Sequence, residues 1–348
     1  MTEYINLLKQ LIETPSFSKE EDKTAQILTD FFHGKGIPVN RNKNNVWTCN
    51  AYFSPEKPTI LLNSHHDTVK PNASYTLNPF QAIEQDGKLY GLGSNDAGGC
   101  LVSLIAAFCH FYHRQDLQYN LILAASAEEE ISGRDGIEFL QTLLPPVDFA
   151  IVGEPTQMQM AIAEKGLMVL DCIAYGKAGH AARDEGENAI YKAMEDIQVI
   201  KEFRFEKVSE WLGNIKMSVT ILHAGTQHNV VPDRCEFTID VRTTDAYSNE
   251  EVLELLKSKL KSEVKARSTR LKPSHISESH AIVVAGKSLG LSVYGSPTLS
   301  DQALLKVPSL KIGPGDSARS HTADEFVMIE EIERGIETYI HLLEKVIL

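Results

Sequence analysis

The chain has 348 residues and a formal net charge of −13; 43% of its residues are hydrophobic, enough for the cores of a soluble globular protein of about two domains. The acidic balance argues against nucleic acid or an anionic membrane as partner, because both need basic surface. No apolar run approaches the roughly 18 residues that a membrane span requires.

Residues 1–13 place Ile5, Leu8 and Ile12 at helical spacing, with Leu7 and Leu11 beside them. They lack the basic start and apolar stretch of a signal peptide. The five cysteines (Cys49, Cys100, Cys109, Cys172, Cys235) are scattered and form no Cys-x-x-Cys pair, so neither a disulfide framework nor a thiolate zinc site is indicated. A reducing cytoplasm is the expected location. Thr24, Ile27, Leu28, Phe31 and Phe32 repeat the helical pattern, which Gly34 and Gly36 end. The short apolar run 59–63 reads as a buried strand. A Gly-rich turn over 91–99 opens a helix through Leu101, Leu104, Ile105 and Phe108. Residues 119–125 form a second buried strand, 134–144 a helix stopped by Pro145 and Pro146, and 148–152 a third strand. Strands alternating with helices imply an α/β fold with a doubly wound, mostly parallel sheet.

After about Lys165 the rhythm changes. Strands are expected over 167–175, 215–222, 235–241 and 264–269, with helices over 188–203 and 250–260. This β-α-β-β-α-β order is the ferredoxin-like split unit. Residues 276–348 return to β and α signals, with a strand at 310–312 and a closing helix from Glu330. Some seventy residues without disulfides make a poor independent domain, so this tail is expected to complete the first sheet. The expected organisation is a discontinuous domain, 1–165 and 274–348, interrupted by an insertion, 166–273.

Four expected strand ends run into potential ligands: Ser64-His65-His66-Asp67, Ala127-Glu128-Glu129-Glu130, Gly153-Glu154-Pro155 and Gly313-Pro314-Gly315-Asp316, with His321 just beyond. Sites in open α/β sheets form outside the carboxyl ends of the strands. His65 and Asp67 are two apart and share a side of an extended chain, which suits a histidine ligand whose other nitrogen is held by a carboxylate. His66 points the other way and reads as structural. Asp96, in Gly93-Ser94-Asn95-Asp96-Ala97-Gly98-Gly99, is either a helix cap or a carboxylate bridging two metals. Of Glu129 and Glu130, one can bind metal while its neighbour stays free as a base. Asp96, Glu130 and Glu154 supply three negative charges, and a shared hydroxide adds the fourth that balances two Zn²⁺. His65 and His321 complete the set as neutral ligands.

Assembled in this order, these motifs resemble the two-zinc aminoacylase/carboxypeptidase metallopeptidases, which include acetylornithine deacetylase and succinyl-diaminopimelate desuccinylase. The resemblance covers essentially the whole chain. It implies that His65, Asp96 and Glu154 bind one zinc and Asp96, Glu130 and His321 the other, with Co²⁺ or Mn²⁺ as substitutes. It implies that Asp67 orients His65, that Glu129 is the general base, and that a cis peptide follows Asp96. The insertion becomes a lid and dimerisation domain, in which Gly176-Lys177-Ala178-Gly179-His180 carries an oxyanion-stabilising histidine, often supplied by a partner subunit. His228-Asn229-Val230-Val231-Pro232-Asp233 and Asp240-Val241-Arg242 match its substrate-binding part. Asn229, Arg242 and Arg319 would hold the substrate carboxylate, although a surface ion pair is as good a reading of Arg319. Two positions depart from the common pattern: Gly98 stands where many members carry lysine, and Glu128 where Asp is usual.

The expected function is zinc-dependent hydrolysis of the amide of an N-acyl amino acid by a cytoplasmic homodimer. The stretches 296–301 and 313–317 look closest to acylornithine and acyl-lysine deacylases, which points to N-acetyl- or N-succinyl-ornithine and arginine biosynthesis. The alternatives within the class are a di- or tripeptidase and a succinyl-diaminopimelate desuccinylase. Outside it stand a non-catalytic binding module and a metal-free α/β enzyme.

Overall fold

The computed structural model describes residues 1–348. The chain forms two compact units, one of Met1–Ile162, His275–Tyr294 and Ser300–Leu348, the other of Ala163–Ser274 and Gly295–Leu299.

In the first unit, strands Asn120–Ser126, Thr59–His65, Phe149–Val152 and Ser309–Lys311 lie side by side and parallel. Every residue of all four is buried, which explains why they read as continuous apolar runs rather than alternating ones. Antiparallel strands extend this centre into a mixed nine-stranded sheet. Asn45–Cys49 pairs with Asn120–Ser126 and folds back on Asn40–Asn42, and Met160–Glu164 pairs with Ser309–Lys311. The α/β class and parallel centre match the sequence reading; the antiparallel strands were not read, because the stretch 40–49 is short and polar and 160–164 follows a strand without a helix between.

Helix Gly99–Phe111 is buried along nearly its whole length. The closing helix Ile329–Ile347 packs against it and turns Ile332, Ile336, Tyr339, Leu342 and Leu343 inward at helical spacing. The Tyr339 hydroxyl donates to the carbonyl of Ile312, at the end of the last parallel strand. A second cluster, Leu61, Ile122, Ile137, Leu140 and Ala150, takes in Trp47 and Leu144. The helix expected over 134–144 is reduced to Ile137–Leu140. The chain before it is folded into tight turns, with Glu128 and Ser132 at φ of 57° and 47°. Gly136 approaches the carbonyl of Ala127 so closely that a Cβ there would lie 2.1 Å from the oxygen.

The second unit is a four-stranded antiparallel sheet in the order Lys216–Ala224, Arg234–Thr243, Gly166–Tyr175, Glu263–Ala266. With helices Ala189–Glu202 and Asn249–Lys259, this is the ferredoxin-like arrangement. Met168, Leu170, Cys172, Phe237, Ile239 and Val241 pack against Ala189, Ala193, Val252 and Leu256. The second helix starts with a reciprocal cap. Ser248 Oγ accepts from the N–H of Glu251 at 3.1 Å, and Glu251 accepts from the N–H of Ser248 at 2.7 Å. The strand expected over 264–269 ends at Ala266. No helix of the protein is long and apolar enough to cross a membrane.

Candidate metal and catalytic site

The parallel strands deliver their ends to one rim of the sheet. His65, the last residue of its strand, donates through Nδ1–H to the backbone carbonyl of Asp67 at 2.9 Å. That contact aims Nε2 at three carboxylates: Asp96 Oδ1 at 3.2 Å, Glu129 Oε2 at 3.8 Å and Glu154 Oε1 at 3.8 Å. A second group forms around His321, whose Nε2 lies 3.0 Å from Glu130 Oε2 and 3.6 Å from Asp96 Oδ2. Asp96 therefore turns one oxygen to each histidine. The peptide after it, Asp96–Ala97, is cis. Ligand atoms 2.0–2.1 Å from a tetrahedral ion sit roughly 3.3 Å apart, so both groups have the spacing of a coordination shell. Their nitrogen and oxygen donors, without thiolate, suit Zn²⁺ and also Co²⁺ or Mn²⁺. His65, Asp96 and Glu130, and His65, Glu129 and Glu154, each bring ligand atoms within 4.8 Å of one another.

The electrostatics follow from burial. Glu129 is pushed well above the carboxylate range by burial, with His65 opposing and Glu154 reinforcing the shift. Burial also raises Glu130, against the hydrogen bond from His321. Burial works against protonation of His65, but Glu129, Asp67 and Asp96 outweigh it and raise the imidazole well above 6.5. His321 rises to about 9, chiefly through its hydrogen bond to Glu130. A bound cation inverts this logic by taking the place of the protons.

Asp67 stands beside His65, as expected, and has further partners. Its carboxylate lies 3.4 Å from His65 Nδ1, farther than its own carbonyl. Oδ1 also accepts the N–H of Glu129 at 3.0 Å, and Oδ2 accepts the N–H of Glu130 at 3.2 Å and the hydroxyl of Ser18 at 2.7 Å. It thus fixes the backbone beneath the two glutamates. His66 is buried between the Thr24 hydroxyl at 2.9 Å and the carbonyl of Asn44 at 2.8 Å, a structural place.

The model of peptidase family M20/M25/M40 matches residues 61–345. The chain belongs to this family. It is a hydrolase of amide bonds. It is 29% identical to a protein of Proteus mirabilis named acetylornithine deacetylase, over 98% of this chain and 96% of that one. Its fold is similar to aminopeptidase PepT from Bacillus cereus, with a TM-score of 0.80 at 18% identity over 99% and 98% of the chains. It is similar, too, to a Bacillus subtilis protein described as a dinuclear metal-binding peptidase of family M20, with a TM-score of 0.76 at 18% identity over 99% and 97%.

Against the common family pattern, Gly98 has no room for a side chain: a Cβ would lie 2.5 Å from the carbonyl of Gly93. The remaining expected site residues lie in the second unit, except Arg319. His180 is exposed and pairs through the short strand Gly179–His180 with Val230–Val231, so the N–H of Ala181 donates to the carbonyl of Asn229 at 3.0 Å. The two motifs 176–180 and 228–233 are thereby joined. His228 and Val230 to Pro232 of the second motif border an open hollow of about 820 Å³ that Ala181, Arg183 and Tyr191 also line. Arg242 is held by Asp240 at 2.9 and 3.1 Å. Arg319 makes a two-point ion pair with Glu331 at 2.7 and 3.0 Å, the alternative weighed for it in the sequence.

Two buried carboxylates of this M20/M25/M40 chain were not read as site residues. Asp301 accepts from Ser126 Oγ at 2.6 Å and Asn63 Nδ2 at 2.8 Å, and burial raises it to about 6. Glu325 accepts from three backbone N–H groups, those of Gly93, Asn95 and Asp96. An acidic residue opening an apolar strand, Glu325 before Phe326-Val327-Met328, was the available signal.

Proposed function

We propose that this protein is a metal-dependent deacylase of an N-acyl amino acid. His65, Asp96 and Glu154 would hold one divalent ion, and Asp96, Glu130 and His321 the other, with Zn²⁺ as the resident metal. The observation that carries this reading is the Asp96 carboxylate, with Oδ1 3.2 Å from His65 and Oδ2 3.6 Å from His321. Two such ions, when bound, supply Lewis acidity to the amide carbonyl and to the attacking water. Glu129 accepts a proton from that water as the C–O bond forms. It returns the proton to the amine nitrogen as the C–N bond breaks. Asp67 keeps Glu129 in place through its N–H. His180 donates to the developing oxyanion, and Asn229, Arg242 and Arg319 bind the substrate carboxylate, the two arginines after exchange from their present ion pairs.

In this reading residues 1–165 and 274–348 form the catalytic domain and 166–273 a lid through which two chains pair. Support for pairing comes from the edge strand Lys216–Ala224, which exposes Ile221 and Leu222, and from Tyr191 and Met194, 66% and 58% exposed on the neighbouring helix. Apolar side chains beside an open strand edge suit a second copy. The relative named acetylornithine deacetylase supports N-acetylornithine as substrate; N-succinylornithine, a place in arginine biosynthesis and a cytoplasmic location belong to the same proposal. Similarity to solved peptidases favours a second reading, a di- or tripeptidase. A panel of N-acetylornithine, N-succinylornithine, succinyl-diaminopimelate and small peptides, with Zn²⁺ or Co²⁺ restored, separates them. Highest kcat/KM on a peptide would replace the deacylase reading.

A further inference from the structure

The Gly91–Gly98 loop carries Asp96 into the site, and its backbone satisfies itself only in part: the N–H of Ser94 donates to the carbonyl of Gly91 at 3.1 Å and that of Gly98 to the carbonyl of Gly93 at 2.9 Å. Gly93 is left-handed, and Asp96 and Ala97 leave helical geometry before the helix begins at Gly99. The N–H groups of Gly93, Asn95 and Asp96 converge instead on one carboxylate, that of Glu325. Oε2 accepts Gly93 at 3.1 Å, and Oε1 accepts Asn95 and Asp96 at 2.9 Å each. The carbonyl of Glu325 also accepts the N–H of Gly91 at 3.0 Å. Glu325 is 2% exposed and lies four residues after His321 on the same connection.

A second clamp joins the same two segments. Asn95 Nδ2 donates to the carbonyl of Asp316 at 3.0 Å, and Asn95 Oδ1 accepts the N–H of Asp316 at 3.0 Å. Gly315, at φ +88°, gives that amide its room, since a Cβ would lie 2.4 Å from Asn95 Oδ1. The segment bearing Asp96 and the segment bearing His321 are thus bolted together at two points, and the Glu325 bolt includes the N–H of Asp96 itself.

We infer that Glu325 is a positioning residue of the two-ion site: by accepting these three N–H groups it sets the rotation of Asp96 that offers one oxygen beside His65 and the other beside His321. This rests on the ligand assignment proposed above. Groups that orient ligands without touching the ion are commonly worth 10–100-fold in metal affinity. A carboxylate is needed because two oxygens must both accept. Glutamine keeps the shape but sets an amide N–H₂ against at least one backbone N–H.

The test is Co²⁺ titration of the metal-free full-length protein, followed by visible absorption, with circular dichroism to establish folding. The wild-type chain should take up two equivalents. Glu325→Gln should lose about 10–100-fold in affinity for at least one equivalent, with a changed visible spectrum and a lower kcat. Glu325→Asp, which keeps the charge and shortens the reach, should lie between them and serves as the second variant should the glutamine form fail to fold. Wild-type affinity and an unchanged spectrum in the folded variants overturn the inference, as does a loss confined to folding stability. Failure of the wild-type chain to bind two equivalents overturns the ligand assignment instead.

Discussion

Replacing Asp67 by Asn tests whether this side chain serves His65 or the glutamate turn. The substitution keeps the volume and exchanges one acceptor oxygen for an N–H₂. Placed at the Oδ1 position, the amide faces the N–H of Glu129; placed at Oδ2, it faces that of Glu130, while the Ser18 hydroxyl can turn to accept. Either way one buried backbone donor loses its partner, which costs about 1–3 kcal/mol. With an m value of about 3 kcal/mol/M in urea, the midpoint of the metal-free protein should fall by roughly 0.3–1 M at constant m. Displacing Glu129 by even 1 Å is worth about 10²-fold in rate, so kcat on an N-acyl amino acid should drop by that order. Metal affinity should stay within about tenfold of wild type, short of the larger losses seen when a ligand's orienting partner is removed, because the Asp67 carbonyl still holds His65 at 2.9 Å. The measurements are a urea titration, metal content after dialysis, and steady-state kinetics. An unchanged midpoint with kcat within threefold of wild type would refute the reasoning. A selective loss of metal affinity would return Asp67 to the role of orienting His65.

Glu129→Gln should retain its metal and lose about 10²–10⁴-fold in kcat; parallel loss of metal and activity would make Glu129, which is as near His65 as Glu154 is, a ligand and exchange its role with Glu130. Histidine ligands must be unprotonated to bind metal. His321, at about 9, is charged at pH 7 without metal, and its carboxylate neighbours shift His65 in the same direction. Calorimetry in buffers of different ionisation enthalpy should therefore show net proton release on metal uptake at pH 7, with apparent affinity rising toward pH 9. In the metal-free chain the sign for stability is opposite: the His321–Glu130 contact stabilises fully below about 6.5 and is lost as pH rises through about 9. No proton release at pH 7 would contradict both statements. His180→Ala should lower kcat by about 10²–10³ with metal content unchanged. Mixing it with Glu129→Gln should restore activity where the histidine acts across a dimer, and no recovery despite subunit exchange would leave closure within one chain.

The parallel strands were legible because burial on both faces leaves an uninterrupted apolar run, and the side chains at their ends stand out as the polar residues that terminate it. His65, Glu130 and Glu154 could be picked out that way, Asp96 by its Gly-rich turn and His321 just beyond the last strand end; the structure brings His65 near Asp96, Glu129, Glu130 and Glu154, and His321 beside Glu130. Glu325 escaped because its partners are backbone N–H groups some 230 residues away, which no side-chain pattern announces. The helix at 134–144 was overread because leucine and isoleucine spacing is indifferent to the left-handed turns at Glu128 and Ser132 that use up the preceding chain. Asp67 beside His65 suggested a carboxylate on the ring; which oxygen reaches which donor is settled by the fold of the Glu129–Glu130 turn and not by the two-residue spacing.

The strand Ser309–Lys311 lies between Phe149–Val152 and Met160–Glu164, so one of the last strands to be synthesised fills an interior place in the sheet. While the ribosome is still adding the intervening chain, about 160 residues at ~5–20 residues per second, the edge of Phe149–Val152 stays unpaired for roughly 8–30 s. An apolar strand open on one side for that long is a template for pairing with another nascent chain. His321 is made after that strand, so a chain truncated between Lys311 and His321 could fill the sheet and yet lack one ligand of the assignment proposed above. On that assignment, the two-ion site could be complete only once synthesis had passed His321.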